Sequence, residues 1–110
     1  MTAREPLRDP FQAVADPTRR EILHLLAGRQ LSIAAIAAYF PISRTAVNKH
    51  LRVLVEAGLL SRERAGRESR YRLRAGPLLE IQQWVAQYER YWDDRLESLR
   101  RYVESNPEDK

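Results

Sequence analysis

Four side chains in the stretch "SRTAVNKHLRVL", residues 43–54, are of the types that read base edges. Arg44 and Lys49 can donate to guanine acceptors, Asn48 can pair with adenine through its amide, and Thr45 is short enough for close approach. Arg52 lies one turn further along and suits a phosphate. Residues 43–74 carry nine Lys/Arg against three Glu, a net of +6, whereas residues 75–110 sum to −3 and residues 1–42 to +1. Positive charge concentrated in this way attracts polyanions by long-range steering and counterion release. Taken alone, the same spacing also fits the solvated outer face of a core helix.

Other chemistries are poorly supplied. The chain has no cysteine, which excludes disulfides, thiolate metal sites and cysteine nucleophiles. Its two histidines, His24 and His50, have no partners at metal-ligand spacing. His50 suits packing or a phosphate contact, and His24 falls at the edge of a buried face. Asp93 and Asp94 are adjacent, so they point to different faces and cannot share an acid/base role. No Gly-rich phosphate loop or Ser/His/Asp set is present. Neither an enzyme, a cofactor nor a metal is expected.

The elements that must position the basic stretch follow from caps and periodicity. At 110 residues, with 44% hydrophobic and 31% charged residues, the chain has the size and balance of one small globular domain. It has no apolar run near about 18 residues, so no membrane span is expected. The start, "MTAREPLRDPF", lacks an apolar signal core, and a cytoplasmic location is expected.

"LRDPFQAVA" places Leu7, Phe11 and Val14 at helical spacing with Pro10 near a helix start. In "ADPTRREILHLLAG", Asp16 is the N-cap, Pro17 the first helical residue and Gly28 the stop. A short helix over about 32–39 follows from Ser32 as cap and Ile33, Ile36 and Ala37 as its buried face. Ser43 then caps a helix to about Glu56, with Val47, Leu51, Leu54 and Val55 inward and Thr45, Asn48, Lys49, Arg52 and Glu56 outward.

After Gly58 the period changes to two. "LLSRERAGRESRYRLR" reads as a two-stranded hairpin turning at "AGRE", with one arginine-rich face and Tyr71 and Leu73 on the other. Arg67 sits at the turn. A long helix is predicted from Pro77 to Val103, about 40 Å, with apolar residues every three or four positions. So long a helix outreaches a domain of this size, and pairing with a second copy is the economical way to cover it. Residues 104–110 read as a frayed tail. The fold class is therefore mainly α with a small β-hairpin (α+β): four helices, a two-stranded wing and a long C-terminal helix, a winged helix-turn-helix.

Together "ADPTRREILHLL", "ISRTAVNKHLRVLVEAGLL" and "RERAGRESRYRL" resemble the ArsR family of winged helix-turn-helix repressors, over roughly residues 10–100. That resemblance implies a repressor binding double-stranded, palindromic operator DNA in its own promoter region. It implies DNA contacts at Arg44, Thr45, Asn48 and Lys49, with Arg64, Arg67 and Arg70 on the wing. It also implies a homodimer built on the first and last helices, through Leu7, Phe11, Ile81, Trp84, Val85, Tyr88, Trp92, Leu96 and Leu99. Metal-sensing members carry cysteines before the recognition helix or Asp/His pairs on the last helix. Here the first position reads "LSIAAIAAYF" and the last helix has no histidine, so the resemblance is to the metal-independent branch. Two alternatives stay open: a winged-helix module for an acidic protein partner, and a repressor induced by a small organic effector at the dimer interface, where Trp84, Tyr88, Tyr91 and Trp92 cluster.

Overall fold

The computed structural model describes residues 8–106. Leu7, expected at the dimer surface, lies outside the described residues. The element order is α1 (Pro10–Ala13), α2 (Pro17–Leu25), β1 (Gln30–Ser32), α3 (Ile33–Ala37), α4 (Arg44–Glu56), β2 (Leu60–Ala65), β3 (Glu68–Leu73), α5 (Gly76–Ala86) and α6 (Glu89–Ser105). Two compact units make up the chain, Met1–Leu79 and Glu80–Lys110.

Helices α1 to α4 each begin where a side-chain cap says they should. Asp9, Asp16, Ser32 and Ser43 each accept a hydrogen bond from a backbone N–H in the first turn of the helix they precede. These bonds satisfy donors that the helix itself leaves unpaired. Helix α4 stops at a Schellman motif: Leu59 N–H donates to Leu54 O at 2.9 Å and Gly58 N–H to Val55 O at 2.9 Å. Gly58 has φ +78, and a Cβ there would lie 3.3 Å from the Pro77 ring, so geometry and space both favour glycine.

Ile22 and Leu26, Ile36 from α3, Val47, Leu51 and Leu54 from α4, and Leu59, Leu60 and Tyr71 form one buried cluster. The inward face expected for α4 is the buried one, with Val55 at its half-buried margin.

The wing departs from expectation in two ways. The two-stranded hairpin β2–β3 forms as expected, but β1 joins it, because Gln30–Ser32 pairs with Arg70–Arg72, giving a three-stranded antiparallel sheet in the order β1-β3-β2. A three-residue strand whose partner lies about forty positions away has no local periodicity to announce it. The arginines also do not share one face. From the two-residue loop Gly66–Arg67, where Gly66 has φ +67, the register runs Arg64↔Ser69, Glu63↔Arg70, Arg62↔Tyr71 and Ser61↔Arg72. Directly opposed residues point to the same side. Arg62 and Arg64 therefore lie on the side of Tyr71, and Arg70 and Arg72 lie on the other with Glu63 and Glu68.

The predicted long C-terminal helix is two helices. At the junction Gln87 N–H donates to Trp84 O and Tyr88 N–H to Val85 O, bonds of i→i−3 spacing that tighten the last turn of α5. The break contains neither Pro nor Gly, so no residue type flags it. It falls in an aromatic run of lower helix propensity, beside the edge-to-face pair Trp84–Tyr88 at 5.3 Å. α6 continues through Ser105, two residues past the predicted end. Neither α5 nor α6 contains a buried residue.

Candidate nucleic-acid interface

Helices α3 and α4, joined by the turn Ala38–Ser43, present the outer edge of α4. Arg44, Thr45, Asn48, Lys49 and Arg52 are all exposed, on the side opposite Val47, Leu51 and Leu54. Among the described residues, Arg44, Lys49 and Arg52 have no hydrogen-bond or ion-pair partner in the chain. Their charge is thus available to an external anion. Ser43 Oγ accepts from Ala46 N–H at 3.0 Å, which fixes the helix start and so the depth at which Arg44 and Thr45 project.

Helix α4 is held from behind by the motif "ADPTRR". Arg19 Nε donates to Ala13 O at 2.7 Å and its Nη2 to Gln12 O at 3.2 Å, while Arg20 Nη1 donates to Val14 O at 2.8 Å. The two arginines satisfy carbonyls at the end of α1. Arg19 Nη1 lies 3.3 Å from His50 Nδ1, to which it donates when the ring is neutral with that nitrogen unprotonated, and His50 Nδ1 lies 3.9 Å from Asp16 Oδ2, an ion pair when the ring is protonated. His50 is half-buried and packs α4 against the start of α2. His24 is exposed.

The Asp16 carboxyl is held below its ordinary pKa, chiefly by the Arg19 N–H; burial opposes this, and attraction to His50 and Arg19 and the Thr18 N–H reinforce it. A carboxylate with a depressed folded pKa contributes stability in full above the unfolded value, near 3.9, and loses it as pH falls through the lowered value. Asp16→Ala is accordingly expected to cost about 1 kcal/mol in urea unfolding at neutral pH. The deficit should shrink in acid, and Asp16→Asn should restore most of the stability. An Asp16→Ala deficit that stayed constant down to pH 2 would show that the stabilisation does not depend on ionisation of the Asp16 carboxyl.

On the wing, Arg64 and Arg67 are exposed and unpaired among the described residues. Arg70 is half-buried and pairs with Glu68 at 3.4 Å, and Arg72 pairs with Glu63 at 3.4 Å. Arg62, not singled out from the sequence, is exposed and lines a groove of about 420 Å³ with Asn48, Arg52, Glu56 and Tyr71. Counting register outward from the Gly66–Arg67 loop is the signal that would have found it.

Of the residues expected at the dimer surface, Phe11 and Ile81 are half-buried, and Trp84, Val85, Tyr88, Trp92, Leu96 and Leu99 are exposed. Within the second unit Tyr91, Tyr102 and Val103 are exposed as well, with Leu96 62% and Trp92 58% exposed. Faces of this kind mark interaction sites.

An exposed basic helix following a helix and a turn, with an arginine-bearing hairpin beside it, defines a winged helix-turn-helix protein. A helix-turn-helix domain family matches residues 14–63. The transcriptional repressor SdpR of Bacillus subtilis (strain 168) is 33% identical over 90 residues, 82% of this chain and 100% of that protein. A crystal structure of a possible transcriptional regulator for arsenical resistance superposes with TM-score 0.68 at 38% identity, over 84% of this chain and 94% of that one. Mb0332 of Mycobacterium bovis, a homodimeric winged helix-turn-helix DNA-binding domain and possible ArsR-family regulator, has TM-score 0.58 at 32% identity, over 71% and 75%. The chain belongs to the ArsR family of DNA-binding transcriptional regulators, and is not an enzyme. Among the described residues no helix is long and apolar enough to cross a membrane.

Proposed function

We propose that this chain is a cytoplasmic, homodimeric repressor that occupies a palindromic operator in its own promoter region and does not respond to metals. The observation that carries this reading is the unpartnered edge of α4, where Arg44, Thr45, Asn48 and Lys49 stand exposed while the opposite face is locked into the core. A helix so held can enter the major groove, with base contacts from its first turns and a phosphate contact from Arg52. Arg64 and Arg67 are exposed and unpaired among the described residues, so they can follow the flanking backbone. Arg70 is a weaker candidate, since Glu68 already opposes its charge.

The homodimer is supported by the exposed apolar face of α5 and α6 and by the homodimeric state of the similar Mb0332 domain. Independence from metal is supported by the absence of any thiolate ligand from the sequence.

The test is a titration of Asn48→Ala against DNA from upstream of its own gene and against an unrelated duplex. On the upstream DNA the variant should lose about 1–3 kcal/mol, and on the unrelated duplex nearly nothing. Equal losses on both would contradict base reading by this helix.

One observation favours a second reading, in which an organic effector releases the repressor. Trp84, Val85, Tyr88, Tyr91 and Trp92 line an almost wholly apolar groove of about 360 Å³. Such a groove suits a flat apolar molecule. A thermal-shift screen followed by release from upstream DNA tests it, and a stabilising compound that leaves DNA binding intact would contradict it.

A further inference from the structure

We infer that Arg62, at the root of the wing, acts with Arg52 as a phosphate clamp across the groove between α4 and β2, and that Arg70 and Arg72 take no part in it. This deepens the proposed DNA-binding role and rests on it.

Three observations carry the inference. First, strand register splits the wing arginines: Arg62 lies opposite Tyr71, which is 5% exposed, and so faces the α4 side of the sheet. Second, Arg52 and Arg62 line the same groove from two different elements, with Asn48 at its margin. Neither guanidinium has a hydrogen-bond or ion-pair partner among the described residues, whereas Arg70 and Arg72 are each opposed by a glutamate. Third, the one acidic residue lining the groove is already engaged: Glu56 Oε1 accepts from Arg8 Nε at 2.7 Å. Two free guanidiniums over an apolar floor of Leu51, Val55 and Tyr71 leave a local charge of +2.

The ligand chemistry that fits is a phosphodiester. Guanidinium forks bind phosphate oxygens bidentately, and a groove between a major-groove helix and a wing lies beside the path of the DNA backbone. Such a contact positions the protein without reading sequence, so it is measurable on DNA of any sequence.

The experiment measures affinity of the full chain for a mixed-sequence duplex of about two helical turns, as a function of salt. Arg62→Ala is expected to lower the slope of log affinity against log salt by about 0.9 for each bound protomer. Arg62→Lys should keep the slope, because the charge remains. Arg72→Ala removes the same net charge from the opposite side of the sheet and should change the slope by less than half as much. Thermal unfolding of each variant establishes that it folds. Equal slopes for Arg62→Ala and Arg72→Ala, or an unchanged slope for Arg62→Ala, would overturn the clamp while leaving DNA binding intact. A wild-type slope near zero would sink the DNA reading and the clamp with it.

Discussion

Leu96→Glu/Leu99→Glu is expected to sediment as a monomer and to bind operator DNA about 10²- to 10⁴-fold more weakly than the wild type. Leu96 and Leu99 stand with Trp92 and Val103 at intervals of four, three and four along α6, so all four lie on one face. Leu96 and Leu99 are 62% and 58% exposed, and α6 contains no buried residue, so the substitutions leave the core of the first unit untouched. Two carboxylates on that face would place like charges in the centre of a two-fold contact, where desolvation is costly. Each recognition helix would keep its half-site chemistry. What is lost is the second helix delivered at high effective concentration, which is why the affinity loss far exceeds any single contact. A monomer that retained full operator affinity would contradict the dimeric reading.

Leu51→Ala carries the largest expected effect on stability, about 2–5 kcal/mol in chemical unfolding. Leu51 is fully buried near the centre of α4, in one cluster with Val47, Leu54, Ile22 and Ile36. Alanine there removes three carbons from a cluster to which α2, α3 and α4 all contribute, so the neighbours cannot all collapse inward. A domain of this size has a total stability of about 5–15 kcal/mol, so the variant should lose a large share of it and unfold at a markedly lower temperature. DNA affinity should fall with the folded fraction as that lower unfolding temperature is approached. An unchanged unfolding midpoint would mean that α4 is not anchored through this face.

The helix ends of the first unit were legible because they are written locally. Asp16 before Pro17, Ser32, Ser43 and Gly58 each satisfy or terminate backbone groups within a turn of themselves, and the structure uses each as expected. The outward edge of α4 was legible for the same reason, since a period of 3.6 fixes which residues share a face. Three features were not local. Strand β1 exists only through pairing with Arg70–Arg72, remote in sequence. The interruption at Gln87–Tyr88 has no Pro or Gly, and Tyr88 provides no side-chain cap. The division of the wing arginines depends on register, which the "AGRE" turn specifies only when residues are counted pairwise outward from it. That count separates Arg62 from Arg70 and adds Arg62, at the root of the first strand, to the wing residues Arg64, Arg67 and Arg70 expected from the sequence.

The most direct measurement is selection of bound fragments from a genomic library at two salt concentrations, followed by alignment of what is recovered. A dimeric winged helix-turn-helix repressor should enrich a two-fold symmetric sequence with half-sites about one helical turn apart, or a multiple of it. Fragments upstream of its own gene should be among those recovered, and recovery should fall steeply at the higher salt. Fragments without a shared symmetric sequence, bound equally at both salt concentrations, would contradict it.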